Sequence, residues 1–109
     1  MAIARAAQTA LEDVKGVDIV LLDVTGQSNV TDYYVMVTGN SPPHLKALTE
    51  EVEKVLKGQG VRVFRKSGTP ESAWIVMDYI DVVVHLFSPE TRAYYALEEL
   101  WSDAVTLEA

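Results

Sequence analysis

Two aspartates on either side of a short turn are the residues of this chain with the clearest capacity for chemistry. Asp78 and Asp81 stand three positions apart in a sequence of 109 residues. Paired carboxylates can bind a divalent cation, but calcium and magnesium take about six or more oxygen ligands, so the pair alone does not predict a metal site. Short acidic side chains beside a turn also accept hydrogen bonds from its backbone. We expect that role for at least one of them, and both can also face a basic partner.

The two histidines, His44 and His85, do not have the spacing of a metal or catalytic site. No serine lies in a nucleophile-elbow pattern, so a catalytic triad has no support in the sequence. His85 belongs to a run with alternating faces, which predicts a half-buried histidine with a hydrogen-bond partner. One face of that run carries Val82, Val84 and Leu86, and the other carries Val83, His85 and Phe87. His44 lies in the first turn of a predicted helix, where we expect it to be solvated.

Trp74 opens a predicted strand beside a polar loop. Tryptophan is enriched at binding hot spots, which favours an anchor that enters a pocket on a partner. A core tryptophan is the alternative, and the sequence pattern alone slightly favours it. The aromatic residues of the last predicted helix follow its apolar stripe, so we expect Tyr94, Tyr95 and Trp101 to cover the sheet.

The charge of the chain is unevenly distributed. Residues 1–70 carry eight acids and eight bases, whereas residues 71–109 carry eight acids and one base, Arg92, which accounts for the net charge of −7. This asymmetry favours a basic partner. The acidic balance disfavours binding to a nucleic-acid backbone, and we expect no sequence-specific nucleic-acid binding. For Arg92 we expect a salt bridge with a neighbouring carboxylate.

The composition is that of one globular domain spanning residues 1–109. The chain contains no cysteine, which excludes disulfides, thiolate metal sites and cysteine nucleophiles. No apolar run approaches the roughly 20 residues that span a bilayer. The first eight residues resemble neither a secretory signal nor a transit peptide. We therefore expect a cytoplasmic protein.

Apolar spacing predicts a helix and two strands in the first forty residues. The helix covers residues 3–14 and ends at Gly16, a residue type that tolerates the left-handed conformation. Residues 19–22 are apolar on both faces, which predicts a strand in the middle of a sheet. Residues 33–38 form a second β-rich run.

The remaining helices and strands are predicted from helix-capping residues and from the glycines and prolines that end regular structure. Ser41 can cap a helix whose first turn contains Pro42 and Pro43, and which ends near Gly58. Strands are predicted over residues 61–64, 74–77 and 82–87, the last two joined as a hairpin, before a final helix over residues 88–104. The order α-β-β-α-β-β-β-α predicts an α/β domain with a mixed, about five-stranded sheet flanked by helices.

Three groups of residues, taken in order, resemble the ribosomal silencing factor family, also called the Iojap-related proteins. The first is Asp18 with its apolar strand, Asp23-Val24 and Thr31-Asp32-Tyr33, and the second is Thr38-Gly39 with Ser41. The third is Trp74-Ile75-Val76-Met77-Asp78, Asp81-Val82-Val83-Val84-His85, and Arg92, Tyr95, Leu97-Glu98 and Leu100-Trp101. The resemblance extends from Leu11 to Ala104, nearly the whole chain.

The resemblance implies a nucleotidyltransferase-like α/β fold and a translation repressor. Members of that family bind the large ribosomal subunit through its protein L-fourteen and sterically prevent the small subunit from joining. It implies no enzyme activity and no cofactor, and a monomer when bound. With it, we expect Trp74 to be an anchor. The expected partner-binding residues are Glu71, Trp74, Asp78, Tyr79, Ile80, Asp81 and His85.

Two residues depart from the family pattern. Ser67 precedes Gly68 where the family has glutamate, and Ile80 stands where the family has a glycine between the two aspartates. We therefore expect no acidic role at position 67. The turn at Tyr79 and Ile80 is expected to differ in shape or to show more apolar surface.

Two alternatives remain open. The first is a nucleotidyltransferase-like enzyme that binds nucleotide and magnesium, which would need a Gly-Ser at a helix start and an Asp-x-Asp strand. Asn40 interrupts the first motif, and Asp78 and Asp81 are one residue too far apart for the second. The second alternative is an acidic adaptor that self-associates, and we expect that the free protein can form a homodimer through the hairpin of residues 74–87.

Overall fold

The computed structural model describes residues 2–25, 31–95 and 105–107. Its elements are α1 (Ala2–Asp13), β1 (Val17–Asp23), β2 (Tyr33–Thr38), α2 (Pro42–Gly58), β3 (Arg65–Ser67), β4 (Trp74–Asp78), β5 (Val82–Phe87), α3 (Pro89–Tyr95) and β6 (Val105–Leu107). The strands form one six-stranded sheet in the order β3-β4-β5-β2-β1-β6. The predicted α/β architecture is confirmed, with one strand more than expected.

The sheet is mixed for the reason the element order predicts. β2 and β5 run parallel because α2 lies between them in the chain and carries it back across the sheet. The β4–β5 hairpin is antiparallel, as are β1 with β2, β1 with β6 and β3 with β4. The two central strands are therefore β5 and β2.

The two faces of the sheet bury different side chains. On one face, α1 and α2 pack their apolar stripes against alternate residues of the strands, among them Leu21, Val35, Ile75 and Leu86. On the other face, a smaller cluster consists of residues on β1, β2, β4 and β5, together with Val24, which directly follows β1. Its buried members are Leu22, Val24, Tyr34, Met36, Val83 and Phe87, and Val20, Trp74 and Val76 pack against them. The alternation predicted for β5 is confirmed, because Val84 faces the helices while Val83 faces the smaller cluster.

Helix α2 begins where its cap residue predicts. The Ser41 hydroxyl accepts a hydrogen bond from the His44 backbone N–H, and Pro42 and Pro43 occupy the first two helical positions. Proline suits these positions because their N–H groups have no partner within a helix. The helix ends at Gly58, and Gly60 takes the left-handed conformation at φ +80°.

The end of α1 differs from the prediction. Lys15, at φ +62°, takes the left-handed conformation that the sequence assigned to Gly16. Glycine is required at position 16 by packing, because a Cβ atom there would lie 2.6 Å from Val37 Cγ2. The sequence thus predicted the correct helix end with the wrong reason for the glycine.

Three predicted strand features also differ. β1 lies next to the short strand β6 and away from the sheet centre, and most of its residues are only partly buried. The strand predicted at residues 61–64 is instead β3 at Arg65–Ser67, all exposed. β6 was not predicted. Of the long final helix, the structure describes Pro89–Tyr95, and the expected positions of the Tyr94, Tyr95 and Trp101 side chains lie outside the described residues.

Candidate functional site

The β4–β5 turn is organised by the first of the two aspartates. Asp78 Oδ1 accepts a hydrogen bond of 2.7 Å from the Ile80 backbone N–H, so the predicted capping role is confirmed for Asp78. Ile80 adopts φ +75°, and its side chain is 57% exposed. The expected apolar surface at this turn is therefore present. Asp81 is exposed, and its carbonyl oxygen accepts from the Asp32 and Tyr33 backbone N–H groups.

A hydrogen bond between Trp74 and His85 joins β4 to β5 on the face of the smaller cluster. The indole Nε1 of Trp74 lies 3.2 Å from His85 Nδ1. An indole nitrogen can only donate, so Nδ1 must be the unprotonated nitrogen of the imidazole. His85 is thus neutral with its proton on Nε2. The hydrogen-bond partner predicted for His85 is therefore present, and it is Trp74, the residue expected to be the anchor.

His85 is buried, not half-buried as predicted, and this burial reinforces the neutral state. Its side chain is 9% exposed, and desolvation lowers the pKa of His85 from 6.5 to about 4. Protonation of Nδ1 would also place two N–H groups against each other. At neutral pH the imidazole therefore serves as a fixed acceptor that orients the indole ring.

Two further rings complete an aromatic cluster around this pair. The ring centroid of His85 lies 5.5 Å from that of Tyr34 and 6.3 Å from that of Phe87, and Trp74 lies 6.4 Å from Phe87. The His85–Phe87 pair is stacked and the other two are tilted, and such ring pairs add to the free energy gained from burial alone. Sequence reasoning did not single out Tyr34. The sequence predicted the strand that contains Tyr34, but the position of that strand beside β5 is a tertiary contact with no local signal.

The loop before β4 fixes the position of Trp74. Gly68 adopts φ +85°, and a Cβ atom at this position would lie 2.0 Å from the Trp74 carbonyl oxygen. That oxygen also accepts a hydrogen bond from the Ser72 hydroxyl at 3.1 Å. Trp74 is partly exposed and lines a surface cavity of about 370 Å³ together with Ser67, Gly68, Ser72 and Val76. The indole is held in place while part of it remains accessible.

The expected partner-binding residues fall into two groups. Trp74, Asp78 and His85 lie on one face, and the exposed residues Glu71, Ile80 and Asp81 lie at the two ends of the β4–β5 hairpin. Tyr79 is the exception, because its side chain is 5% exposed and packs with the cluster under α2. Burial, with a smaller contribution from Glu53, raises the pKa of Tyr79 to about 12, and its hydroxyl has no hydrogen-bond partner among the described residues. Partner binding by the whole set stays a prediction.

Two side chains outside this set have partners that the sequence did not predict. Arg92 is buried, and its Nη1 donates to the Asp18 carbonyl oxygen at 2.7 Å and to Thr38 Oγ1 at 3.0 Å. Its guanidinium also lies 5.4 Å from the Phe87 ring centroid. His44 was expected to be solvated, but its Nε2 lies 2.8 Å from the Val14 carbonyl oxygen. These bonds join α3 to β1 and the end of α1 to the start of α2.

The residues that a nucleotidyltransferase would need lie at opposite ends of β5. Ser41 opens α2 beside the end of β2, which is level with Phe87 in the parallel register. Asp78 pairs with Val83 near the beginning of β5. In the described part of the chain, no three His, Cys, Asp or Glu side chains are placed to hold a metal ion. None of the described helices is long and apolar enough to cross a membrane.

Comparison with known proteins identifies the family. The family model described as ribosomal silencing factor during starvation matches residues 1–109. This chain belongs to the ribosomal silencing factor family. The resemblance noted in the sequence is confirmed. Membership supports a role in ribosome silencing, which is a form of translation regulation.

Individual relatives agree with the family assignment. The ribosomal silencing factor of Halalkalibacterium halodurans is 39% identical over 102 residues, covering 94% of this chain and 87% of the relative. A mouse protein named mitochondrial assembly of ribosomal large subunit protein 1 is 34% identical over 88 residues, covering 78% of this chain and 39% of the relative. A crystal structure of a Chromobacterium violaceum protein, 38% identical, superposes with a TM-score of 0.89 over 93% of this chain and 84% of that one. The family and the fold are therefore both shown.

Proposed function

We propose that this member of the family binds the large ribosomal subunit through its protein L-fourteen and sterically prevents the small subunit from joining. Family membership supports the ribosome as the target, and the name of the mouse relative refers to the large subunit. The partly exposed Trp74 indole and the acidic side chains of the β4–β5 hairpin support a basic protein as the direct partner.

The partly exposed indole of Trp74 is the observation that carries this proposal. We call the Trp74 surface the set Glu71, Trp74, Asp78, Ile80 and Asp81. The hydrogen bond from Trp74 to His85 fixes the ring before binding, which reduces the conformational entropy lost on association. Glu71 lies at the same end of the β4–β5 hairpin as the indole, and Asp78, the exposed Ile80 side chain and Asp81 lie at its turn end. We call these three carboxylates the acidic rim.

The proposed mechanism is occlusion without catalysis. A rigid domain occupies a protein on the subunit-facing side of the large subunit, and its bulk collides with the incoming small subunit. The separation of Ser41 from Asp78 along β5 favours this mechanism over a nucleotide-binding one. Attraction between the acidic rim and a basic protein should speed association and weaken with added salt.

Cosedimentation with isolated large subunits, followed by a subunit-joining assay, tests the proposal. The wild-type chain should sediment with the large subunit and reduce joining. Trp74→Ala should weaken binding by about 2 to 4 kcal/mol. Its thermal stability must be measured alongside, because loss of folding with unchanged affinity of the folded fraction would eliminate the anchor role.

A charge-matched pair of variants tests the acidic rim. Asp78→Asn with Asp81→Asn keeps a side-chain oxygen for the turn and removes two negative charges. Glu12→Gln with Asp13→Asn removes the same charge from exposed positions at the end of α1. The first variant should bind the large subunit more weakly than the second. Equal binding by the two would contradict a role for the rim.

The free protein can also form the homodimer predicted from the hairpin. Such a dimer would cover the Trp74 surface and compete with the ribosome for it. Sizing at dilute and concentrated protein, with and without Trp74→Ala, checks this. A dimer that Trp74→Ala leaves unchanged would place the contact elsewhere.

A further inference from the structure

The cations of this acidic chain are concentrated in one segment. Residues 54–70 contain five of the nine lysines and arginines and none of the sixteen acids. The five are Lys54, Lys57, Arg62, Arg65 and Lys66. Residues 54–70 therefore have a net charge of +5, and the rest of the chain has a net charge of −12, which together give the value of −7 for the whole chain.

The fold brings these cations together on one surface, which we call the basic edge. All five side chains are exposed, on the last turns of α2, the following loop and the edge strand β3. Lys57 and Arg62 line the same surface cavity of about 250 Å³, and Lys54 and Lys57 line the adjoining one. The segment is therefore continuous in space as well as in sequence.

Three carboxylates partly offset this charge: Glu50 lines the cavity that Lys54 and Lys57 line, Asp78 lies opposite Arg65 in the strand register, and Glu53 makes the closest contact. Glu53 lines the cavity with Lys57 and Arg62, and its Oε1 lies 2.6 Å from Lys66 Nζ. Both members of that pair are well exposed, so the pair is weak in water. Arg62 and Arg65 belong to none of the salt bridges found among the described residues. Two guanidinium groups, which match phosphate geometry well, thus remain available at the basic edge.

An exposed aromatic ring lies between the two arginines. The Phe64 side chain is 62% exposed, and Arg65 Cζ lies 5.7 Å from its ring centroid. Val61 and Val63 pack inward, so Arg62 and Phe64 project from the opposite side of the segment. Cations alternating with an exposed aromatic ring are typical of surfaces that bind RNA.

The basic edge borders the Trp74 surface. β3 pairs with β4, and in this register Arg65 lies opposite Asp78. A ribosomal protein that covers the Trp74 surface would therefore bring its surroundings against the basic edge. On a large ribosomal subunit those surroundings are rich in ribosomal RNA.

We propose that Arg62, Arg65 and the neighbouring lysines bind the phosphodiester backbone of ribosomal RNA beside the protein partner. This inference rests on the proposed function. It departs from the sequence-based expectation that the acidic balance disfavours binding to a nucleic-acid backbone, because phosphate contacts need only a local stripe of cations and no sequence-specific readout. The molecule would then contact the large subunit with two adjacent surfaces of opposite charge.

A pair of charge-matched variants separates location from total charge. The test variant is Arg62→Gln with Arg65→Gln, and the control is Arg5→Gln with Lys15→Gln, which removes the same charge from α1 and the turn that follows it, outside the segment. Binding of each to isolated large subunits is measured between about 50 and about 200 mM salt. Each lost phosphate contact lowers the salt dependence, so the loss of affinity over this range should shrink about tenfold for the test variant. The control should match the wild type, and equal slopes for all three proteins would overturn the proposal.

Two simpler probes distinguish the partner. Purified ribosomal protein L-fourteen should bind the test variant and the wild type equally, and a weaker complex with the variant would assign the arginines to a protein contact and overturn the proposal. A single-stranded RNA of about 20 nucleotides should bind the wild type at low salt, at best with a dissociation constant on the order of 10 to 100 μM. It should bind the test variant at least several-fold more weakly. Absence of RNA binding would refute the inference while leaving L-fourteen binding intact, whereas RNA binding without any L-fourteen binding would refute the proposed function alone.

Discussion

The neutral His85 beneath Trp74 makes the stability of this domain depend on pH in a calculable way. The folded-state pKa of His85 is about 4, against 6.5 for the free side chain. The unfolded chain therefore takes up a proton that the folded chain rejects. The resulting stability is fully present above about pH 6.5 and is lost as the pH falls towards about 4.

The size of the effect follows from the two pKa values. The shift of about 2.5 pKa units corresponds to about 3 kcal/mol when the whole window is crossed. Between about pH 7.5 and pH 5, the loss in the free energy of unfolding should be about 2 kcal/mol. Other groups titrate in this range, so the His85 contribution must be isolated.

The contribution of His85 can be isolated with a variant that does not titrate but keeps the hydrogen bond to Trp74. In His85→Asn, the amide oxygen lies near the position of Nδ1 and can accept from the Trp74 indole. Urea denaturation of both proteins at about pH 7.5 and pH 5 gives the difference. The wild type should lose about 2 kcal/mol more than the variant. Equal losses would show that His85 is not held neutral, and the assignment of Nδ1 as acceptor would be wrong.

Four further substitutions test single contacts by urea denaturation at neutral pH. Gly68→Ala should lower the free energy of unfolding by at least about 2 kcal/mol, because φ is positive and the Cβ atom would meet the Trp74 carbonyl oxygen; an unchanged value would contradict the close approach. Tyr79→Phe should raise it by about 1 kcal/mol by removing a buried hydroxyl without a partner among the described residues, and a clear loss would reveal a partner. Ile80→Gly should also raise it by about 1 kcal/mol, because an exposed β-branched residue leaves the left-handed region; destabilisation would show that Ile80 packs. Arg92→Met should lower it by about 2 kcal/mol, because the buried Thr38 hydroxyl and the partly buried Asp18 carbonyl oxygen lose their donor, and a loss below about 1 kcal/mol would mean that water replaces the guanidinium.

The sequence predicted best those elements whose signals are local. Ser41 and the two prolines mark the start of α2 because a cap acts on neighbouring backbone groups. The alternation of β5 predicted which side His85 faces, since each face of a central strand packs against a different cluster. The anchor role of Trp74 could be weighed from its residue type, but its exposure depends on neighbours far away in the chain.

The features that the sequence did not predict depend on tertiary contacts. β3 contains Arg65, Lys66 and Ser67, a composition with little strand preference, and it forms because β4 offers an edge to pair with. The partners of His44 and Arg92 come from distant parts of the chain, so no local pattern could name them. Tyr79 is adjacent to the exposed Ile80 yet buried, because the turn geometry sends the two side chains to different sides.

The parallel pairing of β2 with β5 has a consequence for synthesis of the protein. These strands lie side by side at the centre of the sheet although 43 residues separate Thr38 from Val82 in the chain. Pairing of segments this distant cannot begin until the later one has been made, and loop closure makes it slow. His85 lies on that later strand, so its hydrogen bond with Trp74 can form only after β5 has been synthesised.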